Sequence, residues 1–590
     1  MTHRDVWTTL QKCRIHDSSL VPQFSKVSSK LNESVSQDMH SPESSRGAAK
    51  TRGVTFVLAA SFLLVLVAVL YVTTQFRSIA VRVSPETTYL TEPLHEDGLP
   101  DYVEYLHQQM MKGVTPENNG AVPFWQAAGS NAISLGQRAW YFEQLGMPVP
   151  EERDPAFDID TAAAEQILDT GELSKDVYEV AGKLLSRPWQ RRELPGLADW
   201  LDAHADDFTL LQLAASRDRF ACPAPEASGQ CSVVELTWPH LMVLRDMLRN
   251  LSGRAMLRMG EGDMEAAWSD CQTMFQLSNG VEPHSLIGWL MRISAYEMTL
   301  QTTAALLEVD SDANRLRAVE AFIEKLSPVG DAREMVDMFE RIMYLSAVVD
   351  LSRNRFGFEE LTGSKGESFR GMDWNQVLRR GNEAFDALAQ TIEGDRQLQA
   401  DKLGKWEAEF IIRLEEIGVV ERVRRGATLN GRARTCSDVL IALMIPATLR
   451  AADAKRNLEL RVQQSRLQAL LNAYRCEQQQ FPDSLDSLNA DPMLLVDPVN
   501  KMPLNYQRTD NGFLLYSFGV NGQDEQGCNE REKQYRGVYV PNLNSLLSES
   551  ELVDLEQRLS VPRTEWTDRH VESLVVGDDV TTRSPAIFAE

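Results

Sequence analysis

The chain has 590 residues, of which 25% are charged and 43% hydrophobic, and its formal net charge is −25 at pH 7. A surface that acidic argues against nucleic acid or anionic lipid as a partner, and it favours solubility and an affinity for cations. Residues 1–53 hold eight Lys/Arg and five Asp/Glu (+3), which leaves −28 for everything after them.

Residues 1–53 are Ser-rich and polar with little periodicity ("DSSLVPQFSKVSSKLNESVSQDMHSPESS"), which predicts a disordered cytoplasmic tail. The run Val54 to Val72 (VTFVLAASFLLVLVAVLYV) is 19 residues long and carries no charge. At about 1.5 Å per helical residue it covers a hydrocarbon core about 30 Å thick, so a single transmembrane helix is expected over 54–72. The 53 residues before it, and the lack of a closely following A-x-A pattern, distinguish it from a cleaved signal peptide. Arg46, Lys50 and Arg52 precede the run. Arg77 and Arg82 follow it, with Glu86, Glu92, Glu96 and Asp97 close behind. The positive-inside preference puts the N-terminus in the cytoplasm and the bulk of the chain outside, in a periplasm-like compartment.

Residues 73–98 read as a stalk, and residues 99–455 as an exported body with a mainly helical pattern. "LPDYVEYLHQQMMKG" and "LPGLADWLDAHADDFTLLQLAASRDR" are amphipathic runs bounded by Pro and Gly. The clearest unit is "LRDMLRNLSGRAMLRMGEGDMEAAWSDCQTMFQLSNG". One helix stops at Gly260/Gly262, Asp263 is placed to cap the next, and Glu265 falls in its first turn. This resembles a single tetratricopeptide-type hairpin, without the repeated ~34-residue period of an array. A third helix is expected over Leu286 to Leu307, packed on that pair. Met335, Met338, Phe339, Ile342 and Met343 share one helical face, as a core stripe or as an adaptable Met-rich groove. "GSKGES" lacks the spacing of a phosphate-binding loop.

Cys13 falls on the cytoplasmic side, and Cys222, Cys231, Cys271, Cys436, Cys476 and Cys528 fall outside, an even number compatible with pairing in an oxidising compartment. "CPAPEASGQC" is a flexible loop that a Cys222–Cys231 bridge would staple. The spacing fits zinc poorly. A Cys476–Cys528 bridge is the second candidate, because both residues border the C-terminal module.

That module occupies 456–540, ahead of a C-terminal tail over 541–590. In "LELRVQQSRLQALLNAYRCEQQQFPDSLDSL", Leu467, Leu470, Leu471 and Tyr474 form an apolar stripe on a long helix that ends at Phe481-Pro482. A short helical turn is expected over Asp483–Leu488. Two β-rich runs, "PLNYQR" and "GFLLYSF", flank Asp510, Asn511 and Gly512, which is a hairpin signal. Leu514, Tyr516 and Phe518 alternate along the second run, as the face expected to cover the Leu467/Leu471 stripe. "GVNGQDEQG" follows as a Gly-rich acidic loop.

Taken in order, the helix, "FPDSLDSL", "DPVNKMPLNY" and "GFLLYSFGVNGQD" resemble the C-terminal half of type II secretion major pseudopilins over residues 463–527. The resemblance implies a small α+β unit whose terminal loop binds calcium, with Asn521, Asp524 and Glu525 as the matching ligands. Calcium takes six to eight oxygens and tolerates irregular loops. A solvated turn is the alternative for the same residues. Leu58 stands where pilus subunits carry a register-setting Glu, so the resemblance implies a borrowed module. With "PENNGAVPFWQAAG", "LADWLDAHADDFTLLQLAASRDRFACP" and "RMGEGDMEAAWSD", the whole chain also resembles a group of single-span bacterial envelope proteins without an assigned activity. That membership implies export and a helical body.

The nine histidines form no H-E-x-x-H or H-x-H pairing, and neither a G-x-S-x-G elbow nor a serine–lysine signature occurs. The expectation is therefore a mainly α protein with one transmembrane helix, an exported body of irregular helical hairpins and a small pseudopilin-like α+β cap. Its expected role is that of a membrane-anchored scaffold or protein-interaction protein of the cell envelope, with a protein partner and no nucleic acid. The alternatives are an envelope hydrolase with carboxylates in a cleft between helices, and a component associated with a type II secretion or pilus-like system.

Overall fold

The computed structural model describes residues 77–153, 157–167, 181–182, 185–223, 231–280, 285–326, 330–355, 371–392, 425–498, 501–509, 512–518 and 580–584. The apolar run 54–72 lies outside them. Among the described residues no helix is long and apolar enough to cross a membrane. The described part is mainly helical, as expected.

Seven helices carry the architecture: α1 (Tyr102–Met110), α2 (Pro239–Gly260), α3 (Met264–Gly280), α4 (Leu286–Val309), α5 (Ala313–Ile323), α6 (Trp374–Ile392) and α7 (Leu429–Gln478). The α2–α3 hairpin turns where the glycines require it. Gly262 has φ of +85°, and the Asp263 amide reaches back to the Arg258 carbonyl at 2.8 Å. The Asp263 carboxylate then accepts from the Ala266 amide at 3.1 Å, which caps α3. Helix α4 packs on both members of the pair.

The 50-residue helix α7 is the spine, about 75 Å long at 1.5 Å per residue. It packs against α4, α5 and α6. The boundary expected near residue 455 therefore falls inside one continuous helix. Arg466 of α7 pairs with Glu320 and Glu324 of α5, and Arg317 with Glu477. Along its C-terminal half the helix is buried on more than one side, with Arg461 and Glu477 left exposed. Leu467 and Leu471 are buried on one side, and Gln464, Gln468 and Asn472 are buried as well.

The Met-rich run forms core. It opens as a helical turn (Ala332–Met335), passes through a π turn (Val336–Glu340) and continues as a helix over Arg341–Ser352. Met335, Phe339, Ile342 and Met343 are buried, and so is every residue from Arg341 to Leu351.

Residues 78–98 do not stand free as a stalk. The Ile79 amide donates to the Met372 carbonyl at 2.8 Å, and Asn375 of α6 holds the backbone of Ala80 and Arg82. Asn382 donates to the carbonyls of Glu86 and Thr87, and Tyr102 to that of Thr88. Side-chain amides of the body supply the partners that this irregular backbone lacks.

The C-terminal sheet has the order β1–β2–β3: β1 (Asn505–Arg508), β2 (Phe513–Ser517) and β3 (Val580–Ser584), antiparallel throughout. The strand β3 comes from the segment expected as tail. It pairs with β2 along its full length, giving the hairpin the third strand that an isolated pair needs for stability. The buried face of β2 is the opposite of the one expected. Phe513, Leu515 and Ser517 point inward, and Leu514, Tyr516 and Phe518 are only half-buried. Phe513 and Leu515 join Leu460, Leu467, Leu471 and Phe481 in a satellite core. Both faces of the strand carry apolar residues, so alternation alone leaves the choice open.

Candidate functional site

The residues expected to carry chemistry fall partly beyond view. Asn521, Asp524, Glu525 and Cys528 lie outside the described residues. The Cys222–Cys231 bridge is not formed in this structure. Cys222 is a free thiol sealed in the core beside Tyr141 and Trp125, and burial pushes its pKa up. Cys476 is half-buried, 4.0 Å from the Asp310 carbonyl oxygen. Among the described residues, no group of three His, Cys, Asp or Glu side chains is arranged to hold a metal.

The structure instead brings together a groove of about 240 Å³ where α5, α7 and the C-terminal module meet. Three elements build it. The end of α5 supplies Ile323 and Glu324, and α7 supplies Val462, Gln463 and Arg466. A 3-10 turn (Pro492–Leu495) supplies Met493 and Leu494. Asp491 caps that turn by accepting from the Met493 amide at 2.9 Å. Gln463 fixes the turn to the spine, its side-chain amide donating to the carbonyls of Leu494 (2.6 Å) and Val496 (2.8 Å). Apolar and polar residues line it in equal measure, with Glu324, Glu459, Arg466 and Asp491 contributing both signs of charge, and Met493 stands 74% exposed. Such a groove can take an extended or helical segment of mixed apolar and polar composition.

The sequence reading passed over these residues because they come from three distant segments. Only "DPMLLVDP" carried a local signal, a short apolar run with two prolines that does not fit the strand pattern.

Two buried carboxylates were also missed. Asp270 of α3 is fully buried between Arg254 and Arg258 of α2, with 2.7 Å to Arg258 Nη1, and it locks the hairpin. Glu340, 1% exposed, ends the π turn. Burial pushes its pKa up to about 8, a rise that the hydrogen bond from the Leu286 amide only partly offsets, and its Oε1 has no hydrogen-bond partner. A Glu set among Val336, Phe339 and Met343 was a readable warning of a buried acid.

The C-terminal half of the module reads the same way. Asp497 is buried and accepts a short hydrogen bond from the Ser517 hydroxyl. The inward Ser517 thus has a partner, which explains why the Phe513 face of β2 can close over the helix.

No family model matches this chain, and comparison with curated proteins and with solved structures gives no match.

Proposed function

We propose that the protein is a membrane-anchored scaffold or protein-interaction protein of the cell envelope, exported after a single N-terminal span with the N-terminus in the cytoplasm. The observation that carries this reading is the groove at the seam of body and C-terminal module. An exposed methionine beside apolar Ile323, Val462 and Leu494, with charges of both signs in the same lining, suits a peptide segment of mixed composition. The ion pairs of Arg466 and the Gln463 clamp hold its walls in register, so a partner segment meets a preformed surface at little ordering cost.

The test places a photo-crosslinking amino acid at Met493 in the full chain in its native membranes, with the comparably exposed Leu135 as the control position. A discrete adduct from position 493 and none from 135 is expected. Adducts from neither position, or equally from both, refute the groove as the docking site.

The sheet-on-helix arrangement of 460–517 favours a narrower version of the same reading, association with a type II secretion or pilus-like system. It adds weight to the resemblance that raised that alternative. The same adduct decides it by the identity of the crosslinked partner.

A further inference from the structure

The chain enters the body where α6 and the spine begin. The apolar run ends at Val72, and Ile79, seven residues on, is already pinned to the body through the Met372 carbonyl and an isolated parallel bridge to Asp373. Seven residues span at most about 25 Å, so a chain anchored by 54–72 keeps this point close to the bilayer. From there the entering segment runs in the direction of α6. Asn375 holds the backbone of Ala80 and Arg82, and Asn382, further along the helix, holds that of Glu86 and Thr87.

The spine leaves the same point in the same direction. Near its start Arg432 Nε donates to the Gly371 carbonyl at 2.7 Å. Further on, the Tyr344 hydroxyl joins the Val377 carbonyl of α6 to Ser437 of α7, and Arg380 pairs with Asp438. Beyond that α4 takes the same course, with Glu297 at 3.6 Å from Arg461 and the Glu308 carbonyl accepting from Arg475 at 3.2 Å. The groove lies on this far stretch, at Val462, Gln463 and Arg466. Gln463 follows Arg432 by 31 residues (463 − 432) of one continuous helix, about 47 Å at 1.5 Å per residue. Pro446 lies between them, and a kink there shortens the straight line only slightly.

We infer that the body stands off the membrane along this axis, and that the groove takes a water-exposed protein segment about 45 Å beyond the point of entry, not a helix lying in or on the same bilayer. This rests on the single-span and groove-docking readings proposed above. The short leash fixes the near end, and the common direction of the entering segment, α6 and the spine carries the groove away from it. Charge opposes the alternative, in which the long axis lies along the bilayer. Everything after residue 53 sums to −28 (−25 less the +3 of residues 1–53), and an anionic headgroup surface repels it.

The experiment uses the full chain in nanodiscs of phosphatidylcholine and phosphatidylglycerol that carry a nitroxide on a fraction of the headgroups. A fluorescent amino acid replaces Arg77 in one sample and Met493 in another, both exposed positions. The nitroxide should quench position 77 strongly and leave position 493 as bright as in unlabelled discs. Equal quenching at the two positions lays the body along the bilayer, which overturns the stand-off and leaves the span standing. No quenching at position 77 overturns the span and the stand-off together. The photo-adduct from position 493 in native membranes then identifies the occupant, and its crosslinked peptide should fall in a water-exposed segment of the partner. A peptide from inside a membrane-spanning segment overturns this occupant while keeping the groove as the docking site, whereas the absence of any adduct refutes the groove itself.

Discussion

Replacing Glu340 by glutamine should remove a pH-dependent loss of stability. The carboxyl is buried at the end of a π turn with Oε1 unpartnered, and burial sets its pKa at about 8 against an ordinary 4.5. The folded chain therefore holds a proton that the unfolded chain releases as pH passes 4.5. The stability contributed by this raised acid is fully present below pH 4.5 and declines until pH 8, where the folded group also ionises. At about 1.4 kcal/mol per unit, the loss is about 3 kcal/mol by pH 7 and about 5 kcal/mol by pH 8. Glutamine keeps an acceptor for the Leu286 amide and stays neutral, so it copies the protonated acid at every pH. Urea unfolding of the full chain in detergent, followed by tryptophan fluorescence, measures both proteins across this range. Trp238 makes a ring contact with Phe339, adjacent to the substitution, and reports on that part of the core. The difference between variant and wild type cancels all other titrating groups. It should be near zero at about pH 4.5 and favour the variant by about 3 kcal/mol at pH 7. A difference that stays constant with pH would show that Glu340 is ionised in the fold, and would refute the argument from burial.

Asp270→Asn leaves Arg254 and Arg258 facing each other inside the hairpin, and should cost about 3 kcal/mol in the same unfolding assay; a cost near zero would make the triad dispensable. Ser517→Ala strips the buried Asp497 of a hydroxyl donor and should lower stability by about 1–3 kcal/mol, whereas a neutral outcome would assign the inward face of β2 to apolar packing alone. Peptide mapping of the native protein without reduction should find Cys222 unmodified and unbridged, because its thiol is buried and its pKa raised; a Cys222–Cys231 peptide would restore the disulfide expected from the loop composition. Millimolar calcium should raise the melting temperature of the full chain over that in chelator if Asn521, Asp524 and Glu525 bind it, and Asp524→Asn should abolish the shift. Equal melting in both conditions removes the metal and leaves the loop as a solvated turn.

Local chemistry by itself determined much of this fold. The Gly262–Asp263 turn, the third helix from Leu286, a stop of the spine near Phe481-Pro482 (the helix ends at Gln478) and the β1–β2 hairpin were legible because each depends on neighbours within a few residues: a positive φ, a cap, a period. Burial of Met335, Phe339, Ile342 and Met343 was legible for the same reason, as residues of one helical face, although Met338 of that face is only half-buried. The tertiary structure decided the rest. Whether Phe513 or Leu514 faces the helix depends on Asp497 accepting from Ser517, a contact between residues 20 positions apart that no alternation pattern contains. The third strand, over 580–584, pairs with a partner more than 60 residues earlier. The presumed stalk is body because Asn375 and Asn382, some 300 residues downstream, satisfy its backbone. The groove is invisible in the chain for the same reason. Its lining comes from segments that sequence order separates, and only the packing of α5 and the Pro492–Leu495 turn against one continuous spine brings Ile323, Val462 and Leu494 to a common surface.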